Sequence, residues 1–119
     1  TFDWEIKRRI EIGAKFNSLL AGSVETVVQR NDRTSVFAQY TVFVKNRDQL
    51  QIALKAKGIP TAVHYPVPMN MQPAYKHLCC PECAPESIVA ASHVMSLPMG
   101  PFLDDASIKI IVDSLLESV

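Results

Sequence analysis

The sequence predicts an α/β (α+β) fold in which a small sheet carries helices packed against it. Three observations point there. Apolar residues recur at helical spacing through residues 2 to 20, and "VFAQYTVFV" at 36 to 44 concentrates β-branched and aromatic residues in alternation. Helical and extended patterns then keep alternating to the last residue, giving the order helix, strand, helix, strand, helix, short strand, helix in a single domain.

In residues 2 to 20, Phe2, Ile6, Ile10 and Gly13 form a stripe that Leu19 and Leu20 close, with Gly22 as the stop. Lys7, Arg8, Glu11 and Lys15 face water. "SVETVVQRNDRTS" reads as a short strand-like piece followed by a polar loop. The run from 36 to 44 is the central strand, with Val36, Ala38, Tyr40, Val42 and Val44 on its inner face and Gln39 outside. Asn46 is placed to cap a helix over 47 to 57, with Gln49 as a capping-box partner. Leu50, Ala53 and Leu54 supply its apolar face and Gly58 its stop. Ile59 to Val63 reads as a buried strand. Pro85 suits the first turn of a helix carrying Ile88, Ala91 and Met95. "SLPMGP" is then a short extended segment, and Asp104 caps a final helix with Ile108, Ile111, Val112 and Leu115 in register.

Composition excludes several classes. Twelve basic and twelve acidic residues balance, with no long run of either sign, so binding to nucleic acid or to a membrane surface through bulk charge is not expected. No apolar run approaches membrane-spanning length, and no signal-peptide pattern opens the chain. The first residues, "TFDWEIKRR", lack a methionine and already lie in a helical pattern, so the chain is expected to be a piece of a longer protein.

The motifs for chemistry are few. Cys79, Cys80 and Cys83 crowd into a short stretch, with Cys80-x-x-Cys83 preceded by His77. Structural zinc needs a second pair of ligands, and His64 and His93 are isolated, so free thiols in a cytoplasmic, reducing setting are expected rather than a metal site. The glycines at 13, 22, 58 and 100 are too scattered for a phosphate loop. Lysines 45, 55, 57, 76 and 109 fall on loops or polar helix faces, where none is desolvated as Schiff-base chemistry requires. What remains is "GIPTAVHYPVPMNMQPAY", residues 58 to 75, in which His64 and Tyr65 stand where a strand leaves the sheet. Open sheets commonly bind ligands at such exits. Pro66 and Pro68 stiffen that exit. Physics alone leaves the pair open between a ligand site and a satisfied histidine beside a core tyrosine. It reads Asn70 as a turn former and Gln72 as a loop residue.

These residues carry a resemblance. "FAQYTVFVKNRDQLQIALKAKGIPTAVHYPVPMNMQP", followed by "ASHVMSLPMGPFLDDASIKIIVDSLL", resembles the C-terminal part of the DegT/DnrJ/EryC1/StrS family, pyridoxal-phosphate sugar aminotransferases of the aspartate-aminotransferase fold. The motifs are Tyr40 to Val42, Asn46 to Asp48, Gly58 to Thr61, His64 to Pro66 and Leu97 to Met99. Only the cysteine loop, Lys76 to Glu86, departs from the pattern. "PVPMNMQPA", with Asn70 where many relatives have histidine, resembles enzymes that aminate the 3-keto group of a UDP-2-acetamido uronic acid.

The resemblance implies that residues 1 to 119 are the small C-terminal domain of an enzyme whose N-terminal, cofactor-binding domain lies elsewhere. That domain would supply the pyridoxal phosphate (PLP) and the catalytic lysine, so the fragment alone would be inactive, with no cofactor bound and no catalytic residue of its own. His64 and Tyr65 would bind the nucleotide sugar in the partner's active site of a homodimer, with Asn70 and Gln72 supporting the substrate loop. Glutamate would be the amino donor, in bacterial polysaccharide or O-antigen synthesis. Trp4 and Phe2 would pack against the N-terminal domain, leaving an apolar patch here that favours self-association. The rival readings are a free-standing small-molecule or regulatory α/β module and a small zinc-binding interaction domain.

Overall fold

A computed structural model describes residues 1–119, the side chain of Pro81 excepted. Four helices cover one three-stranded antiparallel sheet. The helices are α1 (Phe2–Leu20), α2 (Arg47–Ala56), α3 (Pro85–His93) and α4 (Asp105–Leu116), and the strands are β1 (Glu25–Thr26), β2 (Tyr40–Phe43) and β3 (Val94–Leu97). The sheet order is β1-β2-β3, with Val42 opposite both Thr26 and Met95.

The bounds of α1 match the periodic stretch, but its buried side is Ile12, Gly13, Phe16 and Leu20. Phe2, Ile10 and Leu19, expected in the stripe, are exposed. Full burial is confined to the C-terminal half of this helix, from Ile12 to Leu20. At its start Trp4 meets Phe102, ring centroids 5.6 Å apart, and both remain largely exposed, as does Phe2. Arg8 donates to the Leu103 carbonyl at 3.0 Å, just before α4, and Lys15 pairs with Asp105 in its first turn, which ties α1 to the start of α4.

The central strand is shorter than the run from 36 to 44. Phe37 has φ 45°, a left-handed conformation that no strand continues through. Val36 and Ala38 consequently lie on the surface, while Tyr40, Val42 and Val44 keep their inner positions. The Tyr40 ring packs tilted against that of Phe16, centroids 4.7 Å apart, and its hydroxyl donates to Asn17 Oδ1 at 2.6 Å.

Helix α2 ends as its sequence indicates. Gly58 adopts φ +78°, Ile59 N–H donates to Leu54 O at 2.9 Å, and Gly58 N–H donates to Lys55 O at 3.0 Å, closing a Schellman motif. Its start differs from expectation. Among the described residues the Asn46 side chain makes no capping bond, and Gln51, not Gln49, reaches out, donating to Thr61 Oγ1 at 3.1 Å. Asp104 does cap α4. Its Oδ1 accepts from Ser107 N–H at 2.8 Å, and that bond lowers the carboxyl's pKa.

Two extended segments need correction. Ile59 to Val63 is not a strand: Pro60 lacks an N–H, and the stretch makes one bridge only, Ala62 to Ser96. β3 begins at Val94, before the expected "SLPMGP", so Met95 is a sheet residue opposite Val42 rather than part of α3. The core lies between this sheet and the helices, with Phe16, Leu20, Leu54, Met95, Ile108 and Leu115 among its fully enclosed side chains.

Candidate functional site

The site is built where the chain after α2 passes the outer edge of β3. Ala62 N–H donates to Ser96 O at 3.1 Å, and Ser96 N–H donates back to Ala62 O at 2.7 Å. That bridge delivers His64 two residues on, beside the Ser96 side chain. His64 Nδ1 lies 3.0 Å from Ser96 Oγ, which is also 3.3 Å from Thr41 Oγ1 on β2. Thr41 and Ser96 are register partners, so the sheet itself sets that spacing. Ser96 is only 4% exposed, the one polar residue in the enclosed core among the described residues.

Tyr65 behaves differently. It follows His64 across a cis peptide, presents its ring edge-on to the imidazole at 5.5 Å, and is 69% exposed. The sequence left open a core tyrosine. The structure instead puts a phenol on the surface beside a half-buried imidazole.

Between this pair and α3 lies a shallow cleft of about 330 Å³, with His64, Tyr65, Pro68, Met69 and Gln72 on one side and Ala91 of α3 on the other. Its walls are mostly apolar and its polar groups few, as in small-molecule sites generally. Gln72 lines it while donating from Nε2 to the Val67 carbonyl at 3.2 Å, which closes the loop on itself. Asn70 is not in this cleft. It sits in a 3-10 turn, Met69–Met71, and faces a neighbouring hollow shared with Tyr75, Leu78 and Cys79. The structure thus brings together His64, Tyr65 and Gln72 and sends Asn70 to the back of the loop.

Sequence reasoning missed Ser96 and Thr41. The available signal was a serine inside the apolar run "VMSL", since a buried hydroxyl needs a partner. It also missed a larger cleft, about 740 Å³, on the other side of α3, where Glu25, Lys45, Glu86 and His93 mix both charge signs.

The cysteine loop departs from expectation as well. Cys79 and Cys83 form a disulfide, and Cys80 alone keeps an exposed thiol. The 3-10 turn Pro81–Cys83 folds the chain back and brings the two Cα atoms to 6.7 Å. Among the described residues no group of three or more His, Cys, Asp or Glu converges as a metal site, and no helix is long and apolar enough to cross a membrane.

The lysines bear on cofactor chemistry. Lys57 and Lys109 pair with Glu117 and Asp113 on the surface, Lys15 pairs with Asp105, and Lys7, Lys45, Lys55 and Lys76 are exposed. None is held in the desolvated setting an aldehyde-binding amine needs. The residues of this chain therefore do not fit a covalent PLP site.

Comparison with known proteins gives one consistent result. Residues 1–116 match the model of the DegT/DnrJ/EryC1/StrS aminotransferase family. The chain is 47% identical over 117 residues to a UDP-2-acetamido-2-deoxy-3-oxo-D-glucuronate aminotransferase of Pseudomonas aeruginosa, covering 96% of this chain and 32% of that one. It is 36% identical over 119 residues to a pleiotropic regulatory protein of Geobacillus stearothermophilus, again 32% of the relative's length. A DegT DnrJ EryC1 StrS aminotransferase from Brucella abortus superposes with a TM-score of 0.86 at 34% identity, over 93% of this chain and 30% of that one. The chain spans about a third of the length of the relatives it matches.

Proposed function

The chain belongs to the DegT/DnrJ/EryC1/StrS aminotransferase family, and from that premise we propose that it is the small C-terminal domain of a PLP-dependent nucleotide-sugar aminotransferase. The substrate we propose is a UDP-linked 3-keto uronic acid. The observation that carries this reading is the 47% identity over 117 residues with the Pseudomonas aeruginosa enzyme, which spans the His64–Tyr65 loop.

In this reading the chain contributes binding and orientation. PLP, held by the rest of the enzyme, supplies the electron sink through which an amino group moves, with glutamate as the proposed donor. His64, fixed on the sheet edge, and the Tyr65 hydroxyl present hydrogen-bonding groups suited to a sugar carboxylate. Gln72 holds the loop that carries them. The exposure of Tyr65 accords with a ligand completed by another subunit, so we propose a homodimer in which His64 and Tyr65 reach the partner's active site. The exposed Phe2, Trp4 and Phe102 form the face proposed to dock the N-terminal domain. The product would feed bacterial polysaccharide or O-antigen synthesis in the cytoplasm, where nucleotide sugars are assembled.

A second reading, a regulatory module, has the name of the Geobacillus relative behind it. That relative is also about three times as long as the match, so it does not support a free-standing domain of this size. One assay separates the two. The complete protein, supplied with PLP, glutamate and the UDP-3-keto uronate, is expected to form the 3-amino sugar. Failure with that sugar and with dTDP-linked keto sugars would leave the regulatory reading.

A further inference from the structure

We propose that Ser96 and Thr41 are positioning residues that set which proton His64 offers to the cleft. This rests on the reading of His64 as a contact to the sugar nucleotide. Three oxygen and nitrogen atoms line up from the sheet to the imidazole: Thr41 Oγ1, Ser96 Oγ at 3.3 Å, and His64 Nδ1 at 3.0 Å from Ser96. Each hydroxyl has one proton and can also accept, so such a chain has a direction. Thr41 O–H donates to Ser96 Oγ, Ser96 O–H donates to His64 Nδ1, and the imidazole proton then resides on Nε2. That leaves Nε2–H as a donor for an anionic group of the ligand. The reverse direction would leave Nε2 as an acceptor, which repels a carboxylate.

The enclosed hydroxyl fixes the partner of His64 Nδ1, and an anionic ligand group selects the direction that leaves Nε2–H as donor. Ser96 is almost wholly enclosed and both of its backbone polar groups are engaged by Ala62. Its hydroxyl cannot turn to water for another partner. Thr41 is its register partner on β2, so the sheet holds the two residues that carry these hydroxyls side by side. Which ring nitrogen carries the proton is set by the hydrogen bond the other one makes, and here the partner of Nδ1 is a buried hydroxyl.

Long-range proton–nitrogen correlation spectra of the imidazoles, recorded on the 15N-labelled chain with the rings neutral, test this directly. His64 is expected as the Nε2–H form in the wild type, as a mixture in Ser96→Ala, and again as Nε2–H in Ser96→Thr. A wild-type His64 protonated on Nδ1 would overturn the inference without any variant having to fold, as would unchanged shifts in Ser96→Ala. In the complete enzyme, Ser96→Ala should raise KM for the keto sugar about tenfold with little change in kcat, and Ser96→Thr should restore it. Should His64→Ala raise KM while Ser96→Ala does not, the positioning role falls and the binding role of His64 stands. Should His64→Ala leave KM unchanged, the binding role itself falls.

Discussion

Phe37 covers the backbone of Gly13 so closely that a Cβ there would stand 2.5 Å from Phe37 Cδ2 and 2.6 Å from Cγ. The ring has little freedom to retreat. Phe37 N–H donates to Ser35 Oγ at 3.1 Å, its carbonyl accepts from Arg9 at 3.3 Å, and its backbone is left-handed. Alanine at position 13 should gain about 1 kcal/mol of helix propensity but lose more to overpacking, a net destabilisation of about 1–2 kcal/mol. In a Phe37→Ala background the sign should reverse, and Gly13→Ala should stabilise. Urea unfolding of the four variants in the cycle measures this, and destabilisation of equal size in both backgrounds would refute it.

Tyr40 makes stability fall at high pH. Burial pushes its phenol up to about 12, with a hydrogen bond from Thr26 pulling weakly the other way. Unfolded, the phenol ionises near 10. Its contribution is therefore full below about pH 10 and is lost as pH rises toward about 12, because the unfolded state releases the proton first. Between pH 8 and pH 11 the wild type should lose about 1 kcal/mol more stability than Tyr40→Phe. Equal losses would show that the phenol ionises as easily inside the fold as outside.

The disulfide leaves one thiol, Cys80. Chain purified in air and alkylated without reductant should gain one adduct by mass spectrometry, located at Cys80, and three adducts after reduction. Three adducts in both cases would return the loop to the free-thiol state that its odd cysteine count led one to expect. A reducing compartment would hold the pair open, so the measurement must be made on oxidised protein.

Legibility tracked how local the determinants were. The bounds of α1, the Gly58 stop and the Asp104 cap depend on neighbours within a few residues, and all are visible in the sequence. Which side of α1 is buried depends on where α4 and the sheet lie, so Ile12 and Phe16 were passed over for Phe2 and Ile10. The strand expected at Ile59 to Val63 had the right apolar character, but Pro60 and the short run to Pro66 left it a single bridge at Ala62. His64 and Tyr65 were visible as an odd pair between prolines. Ser96, thirty-two positions away, was not, because its role exists only once Ala62 pairs with it.

In the proposed function this domain binds the keto sugar through His64 and Tyr65. Steady-state kinetics of the complete enzyme, with His64→Ala and Tyr65→Phe measured against the wild type, test it most directly. Loss of a hydrogen bond to a charged group should raise KM for the UDP-3-keto uronate by roughly tenfold or more for each variant, with KM for the amino donor unchanged. Kinetic constants for the keto sugar that neither variant alters would contradict it.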